Sequence, residues 1–115
     1  MHEFSVVSAL LDLVTEDARK HKATGVTTIT VKVGVMSGIE PELFEEAFHV
    51  CKRGTVAETA ALELIRQPIE ISCPCGYQGG IEGFSFRCPK CGETTIRVSD
   101  GEDMILQRLE LELPD

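Results

Sequence analysis

Near the N-terminus the apolar side chains Phe4, Val7, Leu10, Leu11, Val14 and Ala18 recur at helical spacing. Asp12, Thr15, Glu16, Arg19 and Lys20 fall mostly opposite them. This predicts an amphipathic helix over Glu3 to Lys22, closed by Gly25. From Thr27 to Val35 the period shortens to two. Ile29, Val31, Val33 and Val35 face one way, and Thr28, Thr30, Lys32 and Gly34 the other, as in a half-buried strand. After a turn at Ser37-Gly38, Pro41 suits the first turn of a second helix, where its missing N–H costs nothing. The inner face of that helix reads Leu43, Phe44, Ala47, Phe48 and Cys51, and Gly54 stops it.

Leu62 to Ile71 is strand-like but broken at Pro68. Thr94 to Val98 is a short β-branched strand, and Asp100-Gly101 a turn. Met104 to Leu113 alternates again, with Ile105, Leu109, Leu111 and Leu113 on one face. Between these strands, Cys73 to Gly92 is rich in Gly, Pro and Cys and has no helical period. The order predicts an α+β fold: a small sheet of about three strands packed with two helices, plus an inserted four-cysteine zinc ribbon. The expected division is an α/β domain from residues 1–68 and 101–115, with the ribbon at 69–100.

The 115 residues suffice for one modest domain carrying an insertion. With six aromatic residues and no Trp, the core must be mostly aliphatic. A net charge of −8 argues against nucleic acid and anionic membranes as partners, both of which call for an excess of Lys and Arg. No apolar run approaches a membrane span. The start, Met1-His2-Glu3-Phe4, lacks the basic and apolar regions of a secretory signal, so the expected location is cytoplasmic. In a reducing compartment cysteines serve more often as metal ligands than as disulfides, and five of them fit four ligands plus one thiol, Cys51. Cys51 lies on the apolar stripe of the second helix and reads as a small core residue.

Cys88-Pro89-Lys90-Cys91-Gly92 has the form of a metal knuckle. Two intervening residues let one tight turn aim both sulfurs at a point, and the trailing Gly can take a positive φ that brings backbone N–H groups toward them. Its counterpart, Cys73-Pro74-Cys75-Gly76, is one residue shorter. Alternate residues of a regular strand face opposite ways, so a bend at Pro74 is required. Twelve residues separate the pairs. The spacing points to structural zinc on Cys73, Cys75, Cys88 and Cys91. Four thiolates also suit iron, and a redox dithiol is disfavoured because Cys88 does not open a helix. A closed four-thiolate site has no vacant position for substrate, and no other catalytic constellation is present, so no enzyme is expected.

His2 has two readings from the tripeptide alone. It is an incidental residue near the terminus, or it chelates a metal with the Met1 amine and its own amide, in a planar nitrogen set suited to nickel(II) or copper(II).

Three features together resemble the HypA/HybF family of nickel metallochaperones for nickel–iron hydrogenase maturation. They are Met1-His2-Glu3 opening an amphipathic helix, the stretch Ser37-Gly38-Ile39-Glu40-Pro41-Glu42, and the paired cysteines before a closing strand. The likeness spans nearly the whole chain. It implies nickel(II) carried at Met1, His2 and Glu3, with His2 the principal ligand, and structural zinc(II) in the ribbon. It implies delivery to the hydrogenase large-subunit precursor together with a HypB-type GTPase, service to urease in some members, and homodimers. The family pattern has C-x-x-C in both halves, from which Cys73-Pro74-Cys75 departs. The competing reading is an interaction adaptor, in which the ribbon recruits a protein and nickel has no role.

Overall fold

The computed structural model describes residues 3–114. In chain order the elements are α1 (Glu3–Lys20), β1 (Gly25–Gly34), α2 (Pro41–Cys51), β2 (Ala61–Gln67), β3 (Glu70–Ser72), β4 (Gln78–Gly80), β5 (Arg97–Asp100) and β6 (Met104–Glu112). They form two three-stranded sheets, β2-β1-β6 and β4-β3-β5. The expected α+β architecture, two helices on a small sheet with a four-cysteine ribbon, is what the chain adopts.

β1 is the central strand of the first sheet. It pairs parallel with β2 across the α2 crossover, and antiparallel with β6. Both helices bury their stripes on one face of this sheet. Val7, Leu10 and Val14 of α1 and Phe44, Ala47 and Phe48 of α2 meet Val26, Ile29, Val31 and Val33. Phe44 and Phe48 are fully buried, and truncating either to Ala would cost about 3–5 kcal/mol.

Strict alternation fails in two places, each for a local reason. Thr27 is bulged out of the β1–β6 ladder, so Val26 and Ile29 both face inward although three residues apart. A second bulge lies at Gln107, since Thr30 pairs with Arg108 and Val31 with Leu106. It reverses the expected face at one end of β6. Met104, Leu106, Leu109 and Leu111 pack inward, while Ile105 and Leu113 are exposed. Phe4 and Leu43, expected in the core, lie at the margins of their helical stripes and are exposed, and Cys51 is half-buried against the core.

The first helix ends earlier than expected, and not at Gly25, which begins β1. The N–H of Ala23 bonds the carbonyl of Ala18 at 2.9 Å and that of Lys22 the carbonyl of Arg19 at 3.1 Å, a Schellman closure. Lys22 occupies its left-handed position with φ 54°.

Pro68 is where the chain leaves one sheet for the other, dividing the expected strand into β2 and β3. β5 starts at Arg97, three residues later than expected, because Glu93 still closes the second cysteine loop. The two sheets meet at a tight backbone crossing. A Cβ on Gly34 would collide with the carbonyl oxygen of Gly101, and one on Gly101 would lie 2.8 Å from the Pro68 oxygen. Around the crossing run Gly34 N–H to Asp103 O (3.0 Å), Val35 N–H to Gln67 O (3.0 Å) and Met36 N–H to Gly101 O (2.8 Å). Beside it the Lys32 ammonium of β1 donates to Asp100 of β5 at 2.9 Å.

Two predictions follow from these contacts. Lys22→Gly relieves the left-handed strain and stabilises the protein by about 1 kcal/mol in urea unfolding; an unchanged or lower midpoint contradicts the strain. Asp100 is held below its ordinary value by the hydrogen bond from Lys32 and by the Gly101 N–H. A carboxyl lowered on folding favours the native state above the usual carboxylate range and loses that contribution as pH falls through the lowered value. The stability gap between the wild type and Asp100→Asn is therefore present at about pH 6 and closes toward about pH 2. A gap independent of pH contradicts the assignment.

Candidate metal centre

The two cysteine loops sit at one end of the β4-β3-β5 sheet. The first follows β3 directly, and the second precedes β5. They share one closure. In each, the trailing Gly donates to the carbonyl of the leading Cys: Gly76 to Cys73 and Gly92 to Cys88, both at 2.9 Å. In each, the leading Cys donates to the residue after that Gly: Cys73 to Tyr77 at 3.0 Å and Cys88 to Glu93 at 2.9 Å. The shorter loop omits one residue inside the turn and keeps the frame. Pro74 takes the first corner, and Gly76 and Gly92 adopt φ of 101° and 79°, where a side chain would be strained.

The four sulfurs lie within 4.8 Å of one another. Cys73 Sγ is 3.6 Å from Cys91 Sγ, and Cys75 Sγ is 3.7 Å from Cys88 Sγ. Tetrahedral zinc at the usual Zn–S length of about 2.3 Å places sulfurs about 3.8 Å apart. A disulfide would need about 2 Å, and all five cysteines are free. The donor set fits a tetrahedral thiophilic metal. The N–H groups of Lys90 and Cys91 both lie 3.4 Å from Cys88 Sγ, the sulfur-directed contacts expected from the trailing glycine. Cys73 and Cys88 are buried, whereas Cys75 and Cys91 reach the surface.

Without a cation, four thiols in this volume cannot all ionise. Burial pushes the Cys88 thiol up, but the Cys91 and Lys90 amides and the Cys75 and Cys91 thiols outweigh it and draw Cys88 down to about 6. The Cys75 amide pulls Cys73 down, yet burial and the three neighbouring thiols push it up to about 12. Cys91 is also raised: the Glu93 amide lowers it, and burial with the Cys88 and Cys75 thiols prevails.

Apart from the cysteines, Glu3 is buried at the start of α1, 5% exposed. Its Oε2 accepts the Glu40 N–H at 3.1 Å, tying the first helix to the entrance of α2. No residue pattern signals that contact in advance. Met1 and His2 lie outside the described residues, so the structure places Glu3 alone of the three N-terminal candidates. Among the described residues the cysteines are the one cluster suited to a metal, and no helix is long and apolar enough to cross a membrane.

Fold and site thus define a small α+β protein with a four-cysteine metal ribbon. The family model for hydrogenase/urease nickel incorporation, the metallochaperone HypA, matches residues 1–111. The hydrogenase maturation factor HypA of Aquifex aeolicus is 44% identical over 114 residues, covering 98% of this chain and 99% of the relative. That of Shewanella sp. strain MR-7 is 40% identical over 116 residues, covering 100% and 98%. The solution structure of the nickel metallochaperone HypA from Helicobacter pylori superposes with a TM-score of 0.74 at 29% identity, covering 99% of this chain and all of that one. The chain belongs to the HypA family of hydrogenase maturation metallochaperones, which handle nickel.

The altered thiols make a prediction. At about pH 7 metal entry displaces about two protons or more, from Cys73 and Cys91 at least; below about pH 6 Cys88 adds another, so affinity falls more steeply with acid. Calorimetry in buffers of different ionisation enthalpy reads the number, and a proton count near zero contradicts the thiol assignment.

Proposed function

We propose that this protein is a non-enzymatic nickel carrier of the cytoplasm. Nickel(II) is its cargo, held at Met1, His2 and Glu3, and zinc(II) on Cys73, Cys75, Cys88 and Cys91 is its resident structural ion. The carrier passes nickel to the hydrogenase large-subunit precursor with a HypB-type GTPase, and urease maturation proteins and homodimer formation belong to the same proposal. So does the division into residues 1–68 with 101–115 and an inserted 69–100.

The observation that carries the reading is the family match from residue 1 onward, covering Met1-His2-Glu3 together with both cysteine pairs. Chemistry supports the separation of roles. A closed tetrathiolate is saturated by its own ligands and suits an ion that stays. An amine, an amide and an imidazole make a hard-to-intermediate nitrogen set that favours nickel(II) over a thiophilic ion. The Glu3 carboxylate is buried and already engaged by the Glu40 N–H through Oε2, so its part in nickel binding rests on the family likeness and not on this contact.

The test is nickel binding to untagged protein, to His2→Ala and to a version extended at the N-terminus. The proposal expects tight binding only in the first, with zinc content equal in all three. Equal nickel affinity in all three removes the N-terminal site. Hydrogenase maturation that survives His2→Ala but not loss of the ribbon favours the adaptor. Protonation of His2 is also expected to loosen nickel between about pH 8 and pH 5.5, the range that brackets an ordinary histidine. An affinity flat across that range contradicts this.

A further inference from the structure

The ribbon carries a surface that neither metal site uses. Phe84 and Phe86, in the turn between β4 and the second cysteine loop, stand with ring centroids 6.3 Å apart and are 65% and 39% exposed. The chain has only six aromatic residues, and two of them are placed where they add little to the core. Phe84 forms one wall of a cleft of about 220 Å³ at the junction of the two sheets. Val35, Pro68, Ile69 and Ile81 line it, with Arg66 at its rim.

Neither Arg66 nor Arg87, which follows Phe86, takes part in an ion pair among the described residues. The surrounding charge sharpens this. Of the net −8, residues 69–100 contribute only −1, from three Lys and Arg against four Asp and Glu. The helices and the first sheet carry the remaining −7, but where β2 meets the ribbon Arg66 stands at the cleft, Arg87 lies further along the ribbon turn, and Glu82 is the one carboxylate of that turn. Exposed aromatics beside arginine, next to a mostly apolar cleft, are the usual composition of a binding hot spot.

We infer that this cleft is a docking site for a partner protein's extended segment in which an aliphatic or aromatic side chain sits beside a carboxylate. The apolar side chain fills the space between Phe84, Ile69 and Ile81, and the carboxylate meets Arg66 in a charge-assisted hydrogen bond.

The probe is a synthetic Asp-Leu-Phe-Asp peptide, blocked at both ends, titrated into isotope-labelled, metal-loaded full-length protein. The inference expects saturable amide shifts at Val35, Ile69, Ile81 and Gly83. Phe84→Ala and Arg66→Gln should each weaken binding about tenfold, while Leu13→Ala, an exposed apolar residue on α1, leaves it unchanged. Both test residues are exposed, and an unchanged amide spectrum with full metal content verifies folding. A peptide with Lys in place of Asp should leave the cleft amides unshifted. Three outcomes overturn the inference: no cleft shifts at millimolar acidic peptide, equal binding of the lysine peptide, or self-association without peptide that Phe84→Ala abolishes, which would make a second copy the occupant.

Discussion

The sulfur cluster is the constraint on which the ribbon depends. Its strands β3, β4 and β5 are three to four residues long, and its buried apolar residues are few, chiefly Ile69 and Ile71. Such a segment cannot offset its own ordering entropy by burial alone. Two loops that present four sulfurs at tetrahedral spacing let a metal–ligand free energy of about 10–16 kcal/mol take the place of a core. The rest of the ribbon follows from it: the late start of β5, the positive-φ glycines, and the exposure of side chains that a larger core would have absorbed.

The other half is built on an opposite principle. The β2-β1-β6 sheet has an aliphatic core with two phenylalanines and needs no metal. What joins the halves is chiefly backbone, two closely approaching glycines at the crossing and three hydrogen bonds, with the Lys32–Asp100 ion pair beside them. A junction of that kind fixes the ribbon's direction while leaving a cleft beside Pro68, which is why an apolar pocket lies between sheets and not inside either.

How much of this was legible in the sequence differs by element. The helices and β1 were, because their periods run long enough to be unambiguous, and the cysteine loops were, because Cys, Pro and Gly each have one conformational purpose there. The inward face of β6 was not. A bulge at Gln107 carries no residue signature, and it inverts the apparent face of everything before it. Phe4 and Leu43 misled for a different reason: three-to-four-residue spacing marks a stripe but not its width, and both sit at its edge. The Glu3–Glu40 contact could not be read at all, since it joins positions 37 residues apart through a backbone donor that has no sequence identity.

The central claim is that the resident metal and the cargo metal use different chemistry at separate sites of one chain. X-ray absorption at both edges, on untagged protein loaded with zinc and nickel, tests it most directly. The account predicts zinc with four sulfurs near 2.3 Å and nickel with nitrogen and oxygen neighbours and no sulfur. Sulfur in the nickel shell, or a zinc shell short of four sulfurs, would contradict it.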